Sequence, residues 1–248
     1  GAFRVTTSII RESSSSSLAK PLVKNKLSAR MSSTQTTPST SVMKDGTKYR
    51  VVLYDNSTSP STFVSSTLGT AGKELLIDVK KKKNYDWAVF SYNDENDPGE
   101  DKDVVNANTG LRDLLYAKGT TGRIPGENGD GHIIVPINVV LQHQLANVSI
   151  QVTTKDYPAR ITDIGASFGR GTMFCKRPLD LRTGEFTYEN TQIQMDPAIA
   201  FHSLDNDSTM EANYFTSKFE AISDFRVILN KLGIRTASNE AKSLSSPK

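Results

Sequence analysis

The stretch Gly72–Asn93 reads GKELLIDVKKKKNYDWAVFSYN and holds two runs of alternating apolar residues on either side of four lysines. Alternation over this length is typical of a half-buried strand, and β-branched and aromatic residues fit a pleated surface. The stretch therefore predicts a hairpin of two strands joined by a lysine turn. The second strand is apolar on both faces, so we expect it inside a sheet that is covered on each side. Its predicted core positions, with those of the first strand, are Leu75, Ile77, Tyr85, Trp87 and Phe90.

Strands of the same kind lie on both sides of this stretch. Lys48–Asp55 (KYRVVLYD) is a strand with one apolar face, and Ile133–Thr154 contains two more. In Ile133–Thr154 the alternating pattern shifts by one residue near Ala146, so the core-type residues before and after it would face opposite sides of one regular strand. Either the strand carries a β-bulge there or it crosses from one sheet to another. The predicted core positions of these strands are Tyr49, Val51, Leu53, Leu141, His143, Leu145 and Ile150.

The strand pattern starts again after Asp156, which predicts a second sandwich-like module. Its strand-like segments are separated by turn residues and are fewer than those of the first module, so we expect this module to be short or incomplete. The expected organisation is an N-terminal strand and flexible linker over residues 1–45, a first β-sandwich module over 46–157 and a second over 158–248. The predicted fold class is all-β.

The composition narrows the possible functions. The chain has 248 residues, of which 36% are hydrophobic and 23% are charged. Its net charge is only +3, which does not indicate a nucleic-acid binder. One cysteine excludes an internal disulfide framework. No apolar run approaches the roughly 20 residues of a membrane span. The opening Gly-Ala is expected to be a processed end, with any export signal already removed.

The first residues combine an apolar strand with a flexible linker. Ala2–Ile10 (AFRVTTSII) is a strand candidate, and its apolar β-forming residues are Phe3, Val5, Ile9 and Ile10. A run of five serines, Ser13–Ser17, follows it. Serine runs behave as flexible linkers, so the strand is tethered loosely to the body of the protein.

No motif in the sequence indicates a catalytic site or a metal site. His132, His143 and His202 show no metal-ligand spacing, and the lone Cys175 has no histidine near it in sequence. The acidic loop after Asn93 has Pro98 and Val105 where a calcium loop needs ligands. Gly110–Ala117 is expected to form a short helical turn. We therefore expect no enzyme activity, no cofactor and no metal.

The order of several motifs resembles the fimbrillin-like proteins of Bacteroidales, the subunits and accessory proteins of type V pili. The motifs are GTKYRVVLYD, GKELLIDV, YDWAVFSYN, LLYA and LQHQLANVSIQV, with ISDFRVILNKLGI as a looser match near the end. The resemblance implies two tandem transthyretin-like β-sandwich modules, export as a lipoprotein to the outer membrane or fimbrial surface, and assembly by donor-strand exchange. The membrane would be reached only through a lipid anchor on the precursor. The family's lipid-bearing cysteine is absent, which fits a start downstream of it.

In the resembling pilins, cleavage after an arginine removes the first strand and opens a groove for a neighbour's strand. Arg11 occupies a comparable place here, and Arg30 is the second choice. Two departures from the family stand out. The turn at Lys80–Lys83 replaces a glycine-containing turn, and the strands expected after the ISDFRVILNKLGI match are missing.

Two functions follow as hypotheses. The first is a structural and adhesive subunit of a bacterial surface pilus, with other pilus subunits as partners through strand exchange. The alternative is a surface lipoprotein that does not polymerise and binds carbohydrate or a host ligand. In both, host or bacterial glycans or proteins are further candidate partners and nucleic acid is not. The two hypotheses differ in whether the first strand is exchangeable.

Overall fold

The structure is a computed structural model, and it describes residues 2–12, 29–31, 38–106, 112–126, 134–154, 158–169, 173–187, 191–194, 198–204, 206–216 and 226–244. For 2–12, 29–31 and the first residues of 38–42 it describes the backbone alone. Over these ranges the chain forms strands and connecting segments and no helix, so the all-β prediction is confirmed.

The strands, in chain order, are β1 (Ala2–Glu12), β2 (Ala29–Met31), β3 (Pro38–Val42), β4 (Lys48–Asp55), β5 (Thr62–Thr70), β6 (Leu75–Asp78), β7 (Asn84–Ser91), β8 (Val104–Asn106), β9 (Leu115–Arg123), β10 (Ile134–His143), β11 (Ala146–Thr153), β12 (Ala159–Phe168), β13 (Met173–Lys176), β14 (Pro178–Asp180), β15 (Thr191–Gln194), β16 (His202–Ser203), β17 (Thr209–Thr216), β18 (Val227–Thr236) and β19 (Ala241–Leu244).

The first sandwich is one sheet folded over on itself. The strand order is β3-β1-β10-β9-β7-β4-β5, with β6 also paired to β1. Between β9 and β10 the ladder has only two register pairs, Gln142↔Tyr116 and His143↔Leu115. Apolar residues of β10 share a core cluster with residues of β4 and β7, so the two halves of the sheet face each other. From β10 these are Ile137, Val139 and Leu141, and from β4 and β7 they are Tyr49, Val51, Leu53, Tyr85 and Val89.

The central strands β4 and β7 are buried on both faces, which the sequence predicts for β7. Phe90 and Val89 are adjacent on β7 and both are fully buried, yet they belong to different clusters. Phe90 packs with Val52 and Tyr54 on the outer face of the sandwich, where Leu179 and Leu181 cover it. The covering residues come from the segment 178–187, far along the chain.

The predicted hairpin is wrong. β6 pairs with β1, and β7 pairs with β4 and β9, so the lysine turn is a crossing between the two layers. The backbone of this turn forms hydrogen bonds with Ile124. The Lys82 N–H donates to the Ile124 carbonyl oxygen, 3.0 Å away, and the Ile124 N–H donates to the Lys83 carbonyl oxygen. Alternation identifies a strand but not its partner, which explains the error.

The predicted helical turn at Gly110–Ala117 is also wrong where it is described. Leu115–Ala117 begins β9, and Asp113 and Leu114 precede it in extended chain. Both leucines of the LLYA motif are fully buried, in opposite clusters, which a strand achieves by alternation and a single helical turn does not.

Seven of the other strands form two further sheets, in the orders β16-β17-β11-β2 and β12-β18-β19, which pack together as a second sandwich. β13 pairs with β15, and β14 pairs with β8, as separate two-stranded sheets. Its core includes Ile150 and Tyr214 from the first sheet and Phe168 from the second. β10 and β11 therefore lie in different sheets, and of the two alternatives for Leu141–Ile150 the structure has the crossing. The expected boundary at 157/158 separates β11 from its partner β17, so we propose that the division falls near Gln144 instead.

Candidate functional site

The candidate site is the position of β1 in the first sandwich. β1 runs parallel to β10 over nine consecutive register pairs, from Ala2↔Ile134 to Ile10↔Gln142. On its other side it pairs with β6 through Ala2–Val5 and with β3 through Ser8–Glu12. β1 is thus an inner strand of its layer, although the chain leaves it through a serine run. We call the position between β10 on one side and β6 and β3 on the other the β1 seat.

Apolar side chains line the β1 seat on the side of the core. Ile137, Val139, Leu141 and Ile77 are 5%, 1%, 0% and 6% exposed. Leu75 and Val135 are partly buried against the same cluster. If β1 were absent, these residues would border an open channel between two strands with unpaired backbone groups.

The register places the predicted exchangeable residues on alternating positions of this channel. Phe3, Val5 and Ile9 are paired with Val135, Ile137 and Leu141 respectively, which belong to the core cluster. Ile10 is paired with Gln142, an exposed position of the opposite parity. Three of the four residues therefore occupy core-facing register positions, and Ile10 occupies an outward one.

The two candidate processing arginines lie in strands. Arg11 is the next-to-last residue of β1 and pairs with Ser39 of β3, beyond the last register pair with β10. Arg30 is the middle residue of β2 and pairs with Gln151 of β11. Each has one described neighbouring strand, whereas Ala2–Val5 and Ser8–Ile10 have two.

His143 lies at the corner where the sheet folds over, and its prediction as a core residue is wrong. It is exposed, and its Nδ1 lies 2.6 Å from the Oδ2 of Asp113, whose side chain is only 6% exposed. The neighbouring Gln144 N–H donates to the Leu114 carbonyl oxygen at 2.8 Å. These contacts fix the chain at the crossing from the first to the second sandwich, a role that its alternation with leucines did not reveal.

The other predicted core residues are distributed over three clusters. Tyr49, Val51, Leu53, Tyr85 and Leu141 lie in the inner cluster of the first sandwich, with Ile77, and with Leu75 and Trp87 partly buried against it. Phe90 and Leu145 lie in the outer cluster, and Ile150 lies in the second sandwich.

The acidic loop after β7 is held by basic side chains. Asp97 accepts hydrogen bonds from Nε and Nη2 of Arg50, at 2.9 and 2.5 Å, and Asp94 pairs with Arg112. The hydrogen bond from Arg50 lowers the pKa of Asp97, while burial opposes this. The Arg50 side chain is 7% exposed, so the loop carboxylates neutralise a buried charge.

The described residues contain no group of three or more His, Cys, Asp or Glu side chains that could hold a metal ion. They also contain no helix that is long and apolar enough to cross a membrane. The exposed His202 lies 3.7 Å from Glu211 through Nε2 and Oε2, and the Glu211 side chain is 15% exposed. His132 and the side chain of Cys175 lie outside the described part.

Sequence reasoning missed two features of the N-terminal region. One is the pairing of β6 with β1, and the other is β2, which adds to the second sandwich at the edge of β11. β2 has 3 residues, too few for a period to be read, and the alternation in β6 does not identify its partner. The N-terminal region thus contributes β1 and β3 to the first sandwich and β2 to the second.

The chain is an all-β protein with a strand from its N-terminal region inserted into a folded-over sheet. No protein-family model matches it, and no curated protein sequence matches it. Solved structures that it resembles come from Bacteroidales and have fimbrial or adhesion names, as the motif order predicts.

One of these structures is a proposed cell adhesion protein from Bacteroides fragilis, at 17% identity and a TM-score of 0.48, covering 98% of this chain and 88% of that one. Another is the fimbrial anchor protein Mfa2 from Porphyromonas gingivalis, at 16% identity and a TM-score of 0.37, covering 98% and 81%. A third is a fimbrial assembly protein from Parabacteroides distasonis, at 12% identity and a TM-score of 0.37, covering 100% and 85%. What this chain does has to be inferred from its own strands.

Proposed function

We propose that the protein is a structural and adhesive subunit of a bacterial surface pilus, and that β1 is the strand it exchanges. The observation that carries the proposal is the seating of β1: an inner strand, parallel to β10, in an apolar channel, and followed in sequence by a serine linker. A cut in that linker separates β1 from every later strand. The channel that β1 leaves then accepts a strand of another subunit in its place.

Elementary energetics support a durable link of this kind. A strand added to an open channel restores backbone hydrogen bonds worth about 1 kcal/mol net each. Each Val, Ile or Phe side chain that becomes buried adds about 1.5–3 kcal/mol. An open channel also exposes unpaired strand edges, which favour association with another chain. Several contributions of each kind give a link that dissociates slowly.

Arg11 is the better of the two processing candidates. Its backbone lies past the end of the β10 ladder and has only β3 beside it. A protease that binds extended chain reaches it by displacing β3 alone. A cut after Arg30 would release β1 and most of β2 together, because Arg30 precedes only Met31 in β2.

The remaining expectations belong to the same proposal. The protein is exported to the outer membrane or fimbrial surface, where it has no enzymatic role. It reaches the membrane only through a lipid anchor on its precursor. Its partners are other pilus subunits, with host or bacterial glycans or proteins as adhesion targets.

The experiment cuts the backbone of the folded protein after β1 and leaves β1 in place. A site for a specific protease replaces Ser13–Ser17, the protein is cut, and a labelled peptide of the sequence Ala2–Glu12 is added. We expect the original strand to stay bound after the cut and to exchange slowly with the labelled peptide, and chains stripped of it to form multimers. A matched peptide with Val5→Asn should exchange poorly, because position 5 pairs with Ile137 in the core.

If the cut strand leaves at once and the rest stays monomeric and equally stable, strand exchange is wrong. A strand that stays bound under all conditions and never exchanges contradicts it as well.

The alternative, a surface protein that binds carbohydrate without polymerising, is favoured by one feature of the second sandwich. A groove of about 1000 Å³ lies at its end, between the start of β12, the turn before β17 and the end of β18. Arg160 and Arg235 line it and are cross-strand neighbours, and Asn206 and Thr236 add further polar groups. Asp163 and Asp207 line it as well, but Asp163 is paired with Lys231, so the lining keeps a net positive charge that sugars with acidic groups fit.

A glycan array separates the two functions. Under the alternative, uncut chain binds acidic glycans, Arg235→Ala abolishes the binding, and the cut experiment yields no multimers. Under the pilus proposal, cut and stripped chain multimerises whether or not Arg235 is present.

A further inference from the structure

A second edge of the first sandwich is open, at the end of the sheet opposite β1. β5 pairs with β4 on one side, and no other described strand pairs with its outer side. It is 9 residues long and reads TFVSSTLGT, with no charged residue and no proline. Proteins usually protect edge strands with lysine, proline, short length or a covering segment, since an open edge invites another strand. β5 has neither the lysine nor the proline, and it is long for an edge strand. Its one irregularity is a bulge at Val64, which has no register partner in β4.

The outward backbone groups of β5 are identifiable from the ladder. The Ala71 N–H donates to the Thr47 carbonyl oxygen at 2.8 Å, and the register runs without a shift from there to Leu53↔Ser65. Because bonding alternates along an antiparallel strand, Thr67 and Gly69 bond to β4 and Ser66 and Leu68 direct their N–H and C=O groups away from it.

The side chains of β5 show the same lack of a partner. Val64 and Leu68 are 43% and 37% exposed. The hydroxyl oxygens of Ser65 and Ser66 are buried and have no hydrogen-bond partner in the described part of the protein. A buried hydroxyl is normally hydrogen-bonded, but these two point to opposite faces of β5, so the side chains that a neighbouring strand would cover are Val64 and Leu68.

We propose that β5 pairs with β5 of a second copy of this chain, antiparallel and centred on Ser66, to form a continuous sheet across two subunits. This arrangement sets Val64 of each copy opposite Leu68 of the other, so the exposed apolar side chains cover each other. It sets Ser65 opposite Thr67. No like charges meet, because β5 carries none, and the outward groups of Ser66 lie at the two-fold axis.

A second copy is the occupant that this sequence fits. Strand pairing with a charged peptide would place that charge against an uncharged apolar edge, while two copies of β5 are neutral and match residue by residue. The interface is distinct from strand exchange at the β1 seat, since β1 is in place and lies in the other layer. It joins uncut subunits side by side.

The test is sedimentation equilibrium of the uncut, full chain from micromolar to millimolar concentration. We expect a monomer–dimer equilibrium that Val64→Lys weakens at least ten-fold. Ser66→Pro should weaken it equally, because proline removes an outward N–H and leaves the ladder with β4 intact. Val42→Lys is the matched control: Val42 is 84% exposed on β3, so the same change of charge there should leave the dimer unaffected.

A disulfide checks the register. In a Cys175→Ser background, Ser66→Cys should form a covalent dimer under mild oxidation, while Ser57→Cys, in the exposed turn before β5, should not. A protein that is monomeric throughout, with no more cross-linking at position 66 than at 57, overturns the proposal. So does a dimer that Val42→Lys weakens as much as Val64→Lys. If Ser66→Pro melts at a lower temperature than the parent, Val64→Lys and the disulfide decide.

Discussion

Arg50 is a buried cation on a central strand, and Asp97 neutralises it from the loop after β7. A buried charge is costly unless it is paired and hydrogen-bonded, and Asp97 supplies two of the bonds that Arg50 needs. Glu100 adds a weaker contact at 3.6 Å. The acidic loop that looks in sequence like a cation site is therefore a structural counter-charge.

The first prediction concerns the pH dependence of this pair. The hydrogen bond from Arg50 lowers the pKa of Asp97, so the pair stabilises the fold above the ordinary aspartate pKa and loses that effect as the pH falls through the lowered value. We expect Asp97→Asn to cost about 1–2 kcal/mol at neutral pH, a modest figure since Asp97 is partly exposed. We also expect the variant to lose less stability than the parent on acidification.

Urea unfolding of both proteins from neutral to strongly acidic pH measures this. Asp101→Asn, which removes a neighbouring acid with no such bond from Arg50, is the control. Equal losses of stability on acidification in parent and Asp97→Asn would contradict the account.

Among the strands, β1 has a simple consequence for stability, because its successive residues occupy register positions on opposite faces of the sheet. Val5 pairs with Ile137, at 5% exposure, while the adjacent Thr6 pairs with the exposed Asn138. The two positions have the same neighbouring strand and opposite faces.

The second prediction follows from that parity. Val5→Asn should destabilise the uncut chain by about 1–3 kcal/mol, because it puts an amide at the register position beside the buried Ile137. Thr6→Asn should change stability by less than about 0.5 kcal/mol. Thermal unfolding compares the two, and equal effects would mean that β1 is not seated in the register described.

Sequence alternation located β4 and β7 well, because each is long enough to show a period and carries β-branched or aromatic residues. It failed at Leu75–Asp78, where the strand was found but assigned to β7 as a hairpin partner. Pairing depends on where the chain goes after the turn, and the turn at Lys80–Lys83 bonds to Ile124 rather than closing a hairpin. It also failed at His143, whose alternation with Leu141 and Leu145 spans a crossing between cores.

In the whole molecule, the outer core of the first sandwich is shared with a segment from far along the chain. Leu179 and Leu181 are fully buried against the outer face of β4 and β7, and the Tyr116 hydroxyl donates to the Leu181 carbonyl oxygen at 2.8 Å. β8 pairs with β14 beside them. The segment 178–187 therefore belongs physically to the first sandwich, and no periodicity in RPLDLRTGEF predicted it.

The third prediction tests this shared core. Leu181→Ala should cost about 2–5 kcal/mol, as expected for a fully buried leucine. Leu204→Ala, at a side chain 51% exposed, should stay within about 0.5 kcal/mol. Denaturant unfolding gives both values, and a small cost for Leu181→Ala would mean that the first sandwich is stable without this cover.

The central claim is that β1 leaves its seat and is replaced by a strand of another chain. It is tested most directly by locking β1 to β6. Arg4 and Leu76 are antiparallel register partners, and Leu76 is 51% exposed, so cysteines at both positions lie within disulfide reach. The measurement is the size distribution, before and after reduction, of chains cut in the serine run and stripped of any free β1 under mild denaturant, with Cys175→Ser throughout. The locked chain should form no species larger than the uncut chain forms at the same concentration until the disulfide is reduced, and should then form multimers. Multimers that form to the same extent with the disulfide intact, or none after its reduction, would contradict it.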